Sequence, residues 1–167
     1  MANTFEITFY PKDMVPLLAY QDTPGQGMRQ YREFWTFSPA AAETLYSPQF
    51  VMPAAYAAGT VYCKLFFTMA NTATGNVVFN CAVEAITPAD AHNLITDEYF
   101  DTENDSASTA VPGTTGYLGT VTITLTNKDS VAAGDLVRLK ITRDVADGGD
   151  DANSDARVYA VQIYEAA

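Results

Sequence analysis

Basic residues are scarce in this chain. Nine Lys and Arg stand against twenty Asp and Glu, so the 167 residues carry a formal net charge of −11 at neutral pH. Such an acidic surface repels phosphate backbones and anionic lipid headgroups. The composition therefore argues against nucleic-acid and membrane partners, and it favours proteins or neutral ligands.

Long apolar runs are also missing. No stretch approaches the ~18 residues of a transmembrane helix, and the first residues lack the basic and apolar regions of a signal peptide. We therefore expect a protein that is made in the cytoplasm and is soluble there.

Residues for catalysis are few. The single histidine, His92, falls in a predicted loop or helical turn without the nucleophile and orienting carboxylate that a triad needs. Clustered Cys and His for zinc and glycine-rich phosphate loops are both absent. The sequence predicts no enzyme, no cofactor and a surface histidine.

Cysteines number two, too few for a disulfide scaffold. Cys63 shares the apolar phase of a predicted strand with Val61 and Leu65, and Cys81 does so with Phe79. A buried free cysteine behaves as a small hydrophobe. We expect two reduced core thiols, with a disulfide across adjacent strands as the alternative.

Carboxylates are concentrated in two stretches, 97–105 and 144–155, which hold half of the twenty acids. In the second, Asp147, Asp150, Asp151 and Asp155 with Asn153 resemble the oxygen ligands of Ca²⁺, although the spacing is not that of an EF-hand. The other interpretation is a solvated acidic loop that favours solubility. We predict no metal site and retain Ca²⁺ as the alternative.

What the chain has in abundance is side-chain alternation with a period of two. The stretch 134–164 contains two such runs: Val137, Leu139 and Ile141 alternate with polar residues, and so do Val161 and Ile163. This period is typical of half-buried strands. Similar runs cover 60–69, 76–86 and 117–127, while 38–48, with Ser38 as an N-cap, predicts a short helix. Strands at this spacing indicate an all-β antiparallel sandwich or barrel.

The first thirty residues differ from the rest. Pro11, Pro16 and Pro24 interrupt any regular element, yet the segment is too apolar for a solvated tail. We predict an extended N-terminal arm (1–30) beside a β-sandwich domain (31–167). The arm either wraps over its own domain or docks on a neighbouring subunit. The residues predicted to bind a partner are Phe5, Ile7, Phe9, Val15, Leu17, Leu18 and Tyr20.

Aromatic residues near the first strands offer another function. The rings of Trp35, Phe37, Tyr46 and Phe50 are of the type that stacks on sugars in carbohydrate-binding sandwiches. Packing in the core explains them more simply, because they lie in and around predicted strands.

The ordered strand motifs resemble a known family. They are EFWTF, FVMPAAY, TVYCKLFFT, TGNVVFNCAVEAI, TVTITLT, AGDLVRLKITRD and DARVYAVQIY. Across about residues 31–165 this pattern is similar to small jelly-roll virion proteins of tailed bacteriophages, which act as capsid cement, decoration or head-fibre modules. The resemblance implies an eight-stranded jelly roll that forms a homotrimer.

The function implied by this resemblance is structural. The protein would be a capsid cement protein on the virion exterior, and its arm would clamp neighbouring subunits of the major capsid protein. The alternative is a carbohydrate- or receptor-binding module of a phage fibre or baseplate, which predicts exposed aromatic residues in a cleft.

Overall fold

The computed structural model describes residues 4–13, 15–16, 20–21, 32–71 and 74–166. Within those ranges the chain forms strands and one 3-10 turn (Pro11–Asp13), and no α-helix. In chain order the strands are β1 (Phe5–Phe9), β2 (Val15–Pro16), β3 (Tyr20–Gln21), β4 (Trp35–Phe37), β5 (Thr44–Tyr46), β6 (Phe50–Val51), β7 (Val61–Met69), β8 (Asn76–Val77), β9 (Phe79–Ile86), β10 (Asn104–Asp105), β11 (Thr109–Ala110), β12 (Gly119–Leu125), β13 (Leu136–Arg143) and β14 (Ala156–Glu165).

Two six-stranded antiparallel sheets make up the sandwich. The first sheet has the order β12-β7-β14-β4-β3, with β1 also paired to β14. The second has the order β10-β9-β13-β5-β2, with β6 also paired to β13, and β11 pairs β8 in a small ribbon. The prediction of an all-β antiparallel sandwich is confirmed. Many of the strands have only two or three residues, so the five long strands β7, β9, β12, β13 and β14 carry most of the pairing.

The core lies between the inner faces of the two sheets. Alternate residues of β7 and β13 point inward, and Leu65 and Leu139 are fully buried. Across the core, the Phe79 ring of the second sheet meets Phe37 of the first edge-on, with ring centroids 5.5 Å apart, and lies 6.4 Å from Phe67. Burial of each such large side chain contributes about 1.5–3 kcal/mol. The period-two alternation of the sequence therefore becomes the packing of the two sheets.

A β-bulge interrupts the pairing of β14 with β7. Val158 pairs with Phe67 and Ala160 pairs with Phe66, so Tyr159 is an extra residue on β14. A bulge redirects side chains and increases the local twist of a strand. Tyr159 and Ala160 are both half-buried between the buried Val158 and Val161. The bulge therefore adds an aromatic ring to the outer face of the first sheet.

The predicted helix over 38–48 is wrong. Glu43 accepts a hydrogen bond from the Ser38 backbone N–H at 2.6 Å, and the chain then enters β5. There Tyr46 pairs with Lys140 and Thr44 pairs with Thr142 of β13. Pairing with β13 overrides the local helix signal, because propensity is a weak guide where tertiary contacts compete.

The predicted arm requires a correction over its first residues. β1 is part of the first sheet, where Phe5 pairs with Glu165 and Phe9 pairs with Val161. Val15 pairs with Tyr46 in the second sheet, through β2. These stretches therefore do not project from the sandwich as an arm. They complete the sheets of the same chain.

Among the described residues no helix has the length and apolar character needed to cross a bilayer.

Candidate functional site

Three of the seven residues predicted to bind a partner pack into the protein's own core. Phe5 packs edge-on against Tyr56 at 6.0 Å between ring centroids, and Phe9 lies 5.5 Å from Phe50. Both phenylalanines are buried, and Ile7 is half-buried against the same core.

The remaining predicted arm residues are described only in part. Tyr20 belongs to β3 and pairs with Thr36, and its side chain, like that of Val15, lies outside what the structure describes. Leu17 and Leu18 lie outside the described residues altogether. The binding of these residues to a partner stays a prediction.

Both cysteines are free and buried, as predicted. Cys63 lies on β7 and Cys81 on β9, so the two thiols approach each other across the core from opposite sheets. A hydrogen bond with Cys63, together with complete burial, raises the pKa of the Cys81 thiol well above its ordinary value. The Cys81 thiol is therefore held in the protonated, unreactive form.

His92 lies exposed in a loop, as predicted, and its ring stacks on Tyr99 with centroids 3.9 Å apart.

The aromatic residues considered for sugar stacking do not form a binding site. Trp35 and Phe37 are buried in the core, and Phe50 packs on Phe9. Core packing therefore explains these rings.

The second acidic stretch is a structural loop rather than a solvated one. Arg143, fully buried at the end of β13, donates to both carboxylate oxygens of Asp150 at 2.7 and 2.9 Å. The Asp150 carboxylate also accepts from the Val78 backbone N–H at 3.0 Å, and Asp151 accepts from Asn76 at 2.6 Å. The interpretation as a solvated loop is thus wrong for Asp150, whose side chain is buried. Asp151 is exposed, and it also ties the loop to the sandwich through Asn76.

Four other carboxylates crowd the same end of the molecule. Burial raises the pKa of Asp105, and the charges of Asp144, Glu103 and Asp147 raise it further. Among the described residues no group of three or more His, Cys, Asp and Glu has an arrangement that could hold a metal ion.

Glu165 is a buried carboxylate at the end of β14. It accepts hydrogen bonds from the Thr4 hydroxyl and from the backbone N–H groups of Ala57 (3.0 Å) and Gly59 (2.5 Å). Burial raises the pKa of Glu165, but these hydrogen bonds and the charge of Lys128 outweigh it, so the pKa is lowered on balance. This carboxylate therefore ties Thr4, before β1, and the chain before β7 to the end of β14.

The outer face of the second sheet is covered by the protein itself. The loop after β9 runs across it, and the Phe100 ring lies 5.8 Å from Tyr46 and 4.9 Å from the Arg138 guanidinium. Arg138 is also paired with the buried Glu84 at 3.0 Å, and Glu84 accepts from the Tyr99 backbone N–H at 2.8 Å. This face is therefore closed by contacts within the chain.

The outer face of the first sheet is open as far as the described residues go, and it is rich in aromatic residues. Strand register places Tyr62 beside Tyr164, and their rings stack with centroids 5.3 Å apart and an interplanar angle of 22°. In the next row Lys64 lies beside Gln162, and in the third Phe66 lies beside Ala160. All of these side chains are half-buried. Rings and hydrogen-bonding groups thus alternate along one surface.

On the neighbouring strand β12 the outward residues are Thr120, Thr122 and Thr124, all exposed. Register places them beside Phe66, Lys64 and Tyr62 respectively. Hydroxyl groups therefore flank the aromatic rows on one side.

A groove crosses one end of this face, and we call it the Tyr159 groove. It consists of two adjoining pockets of 440 and 460 Å³ that share Tyr10, Arg32 and Tyr159. The bulge supplies the Tyr159 ring, and Phe34 packs beneath it at 5.4 Å between centroids. The first pocket is completed by Phe66, Thr68, Gly116, Leu118 and Ala160, and the second by Pro11, Lys12 and Glu33.

The exposure of the groove residues is unusual for apolar side chains. Tyr10 is 51% exposed and Leu118 is 62% exposed, and Tyr117 next to it is 64% exposed. A concave surface lined by aromatic rings with a few polar groups is typical of a small-molecule or oligomer binding site. Sequence reasoning missed this site because its residues come from the turn after β1, from β7 and β14, and from the segments before β4 and β12.

No protein-family model matches this chain, and no curated protein sequence matches it. Similar solved structures include the CBM22-1–GH10 modules of endo-1,4-β-D-xylanase 10B from Clostridium thermocellum, complexed with xylohexaose. That likeness has a TM-score of 0.52 at 14% identity, and it covers 99% of this chain and 28% of the xylanase chain.

Two further structures are similar at the same level. The CBM22-2 xylan-binding domain of Paenibacillus barcinonensis Xyn10C has a TM-score of 0.50 at 12% identity, covering 98% of this chain and 99% of that domain. The Agl-KA catalytic domain has a TM-score of 0.51 at 11% identity, covering 97% of this chain and 28% of that one. At these identities the likeness shows the fold, a β-sandwich of the kind found in carbohydrate-binding modules.

Proposed function

We propose that this chain is a non-catalytic carbohydrate-binding module and that a glycan chain binds in the Tyr159 groove. The observation that carries this proposal is the row of partly exposed aromatic rings on the open face of the first sheet. The apolar faces of pyranose rings pack on such side chains, and the hydroxyl groups of the sugar can bond to the threonines beside them.

The fold is consistent with this proposal. Two of the similar structures contain CBM22 modules, one of them in complex with xylohexaose and the other named as xylan-binding. A glycan is also a neutral polymer in its simplest form, so a net charge of −11 does not oppose its approach. No catalytic arrangement was expected from the sequence, and the proposal requires none.

The aromatic contribution is large enough to measure. A sugar that covers about 60–80 Å² of one tyrosine face removes that area from water, and at about 25 cal/mol per Å² this is worth about 1.5–2 kcal/mol. Loss of one ring should therefore weaken binding by about 10- to 30-fold.

The test is a glycan panel measured by isothermal titration calorimetry and affinity electrophoresis. The panel contains xylan, mixed-linkage glucan, galactomannan and polygalacturonate. The groove variants are Tyr10→Ala and Phe66→Ala, and the control is Tyr99→Ala, which removes a ring from the loop over the second sheet. We expect at least one glycan to bind. Its affinity should be reduced by Tyr10→Ala and by Phe66→Ala and left unchanged by Tyr99→Ala. Absence of binding to every glycan would overturn it.

The virion function remains a separate proposal, as do the homotrimer, the major capsid protein as partner, and the location on the capsid exterior. The fold does not favour any of these four proposals over the other three. The burial of Phe5 and Phe9 in the protein's own core removes two of the seven side chains assigned to capsid binding. Light scattering of the purified protein tests the trimer directly.

A further inference from the structure

The charge on the open face of the first sheet differs from that of the rest of the chain. The outward positions of β7, β12 and β14 hold tyrosine, threonine, phenylalanine, glutamine and alanine, with two cations, Lys64 and Arg157. None of these positions holds a carboxylate, although the chain contains twenty. On the neighbouring strand β1 the exposed Glu6 does lie on this face, beside Tyr164, at the end of β14 away from Tyr159. The one acid of β14, Glu165, is turned into the interior and is 1% exposed.

The two cations lie among the aromatic rings. The Lys64 ammonium is 5.1 Å from the centre of the Phe66 ring, and the Arg157 guanidinium is 4.9 Å from that of Phe34. These cation–π contacts hold the charged groups over the sheet. Lys64 is therefore close to a ring that lines the groove, and Arg157 is close to the buried ring that packs beneath Tyr159.

Two more cations line the groove. Lys12 and Arg32 belong to the pocket that also contains Tyr159, where Glu33 is the single carboxylate among the lining residues. Lys12 is 4.0 Å from Asp13, which itself accepts a hydrogen bond from the Tyr10 backbone N–H. In a chain with more than twice as many acids as bases, this concentration of cations around one groove marks it as electrostatically distinct.

From this placement we infer that the ligand of the Tyr159 groove is an acidic polysaccharide, one whose sugars carry carboxylates. The inference rests on the proposed function and narrows it. Sugar rings pack on Tyr159, Tyr10 and Phe66, while uronate carboxylates pair with Lys64, Arg32 and Lys12. Arginine and lysine form their strongest hydrogen bonds with carboxylates.

Proteins that bind single-stranded nucleic acid also use aromatic rings and cationic side chains. The overall charge opposes it, since a phosphate on every nucleotide would approach a chain of net charge −11. A polysaccharide with carboxylates restricted to some sugars places fewer charges near the acidic surfaces. We therefore assign the groove to the polysaccharide, and nucleic acid is an outcome of the test.

The experiment compares polymers that share a backbone and differ in charge. The probes are partly methyl-esterified polygalacturonate against its fully methyl-esterified form, and carboxymethylcellulose against hydroxyethylcellulose. The variant is Lys64→Gln. Its matched control is Lys140→Gln, which removes one positive charge from the outer face of the second sheet, where Lys140 is 3.2 Å from Glu103. Binding is measured by titration calorimetry on the full chain.

We expect the charged member of at least one pair to bind more tightly than the neutral member. Lys64→Gln should weaken that binding by about 3- to 10-fold, the effect of losing one hydrogen bond of ordinary net strength at a half-buried position, with no effect on the neutral member. Lys140→Gln should change neither. Raising the ionic strength from about 0.02 to about 0.3 M should weaken binding of the charged polymer alone.

Other results overturn the inference in distinguishable ways. Equal affinity for the charged and neutral members of each pair would refute the acidic ligand and leave the carbohydrate-binding function standing. Binding of neutral glycans alone would lead to the same conclusion. Binding of oligo(dT) in preference to every polysaccharide would assign the groove to nucleic acid. Failure to bind any glycan in either panel would refute the proposed function together with this inference.

Discussion

Asp150→Asn should destabilise this protein more than any other single change of a loop carboxylate. Asp150 neutralises Arg143, whose side chain is fully buried while that of Asp150 is 3% exposed. Arg143 also donates to the backbone carbonyls of Ala152 (2.5 Å) and Ser154 (2.8 Å). It therefore cannot leave the interior without breaking those contacts as well.

The expected magnitude follows from this burial. Removal of one partner of a buried ion pair leaves an uncompensated charge and costs about 3–5 kcal/mol. A domain of this size has a total stability of about 5–15 kcal/mol. With a urea m-value of about 2 kcal/mol per molar, the unfolding midpoint should fall by about 1.5–2.5 M.

Urea unfolding followed by the fluorescence of the single tryptophan, Trp35, measures this shift, because Trp35 is buried in the core. The control is Asp147→Asn in the same loop, where the exposed carboxylate accepts a hydrogen bond from the Gly149 backbone N–H at 2.6 Å. That variant should change the stability by less than about 0.5 kcal/mol. A value for Asp150→Asn within about 1 kcal/mol of the unmutated protein would refute the reasoning.

Other predictions concern titratable groups. The thiols of Cys63 and Cys81 should not react with Ellman's reagent in the folded protein at pH 8, and both should react in guanidinium; rapid reaction of the native protein would show that the core is open. Asp105→Asn should raise the free energy of unfolding at pH 7 by less than about 1 kcal/mol because the group is exposed, which is seen as a higher thermal midpoint. The gain should vanish below pH 3.8, where Asp105 is protonated in both states. A gain that persists in acid would contradict this cause. Glu165→Gln should lower stability at pH 7, since a lowered pKa stabilises the folded protein above the ordinary value of 4.5, and the difference should shrink as the pH falls through the lowered pKa; a loss independent of pH would point to packing alone.

The long strands were predictable from the sequence because their pattern is local. Alternation over 60–69, 76–86 and 117–127 predicts β7, β9 and β12 to within a few residues, since one side of each strand packs on the core. The helix prediction over the segment that contains β5 was wrong because Ser38 and the alanines after it favour a helix locally. Its pairing with β13 depends on residues about a hundred positions away.

The position of Arg143 in the sequence already indicates that the acidic loop has a structural role. Arg143 continues the inward phase of Leu139 and Ile141 on β13. A cation on the buried side of a strand requires a partner, and Asp150 follows in the next loop. The acidic loop could therefore have been recognised as structural. The Tyr159 groove had no such signal, because Tyr10, Phe66 and Leu118 converge only after folding and because the bulge at Tyr159 shows only in the strand pairing.

The position of β14 in the first sheet has a consequence for biosynthesis. β14 pairs with β1, β4 and β7, so until residue 165 has left the ribosome these strands lack their common neighbour. During synthesis, therefore, long unpaired edges of the first sheet stay available to other chains, which is the usual origin of aggregation in slow-folding β-proteins. A chain cut short before β14 is expected to collect in inclusion bodies, whereas the intact chain folds once its last strand closes the sheet.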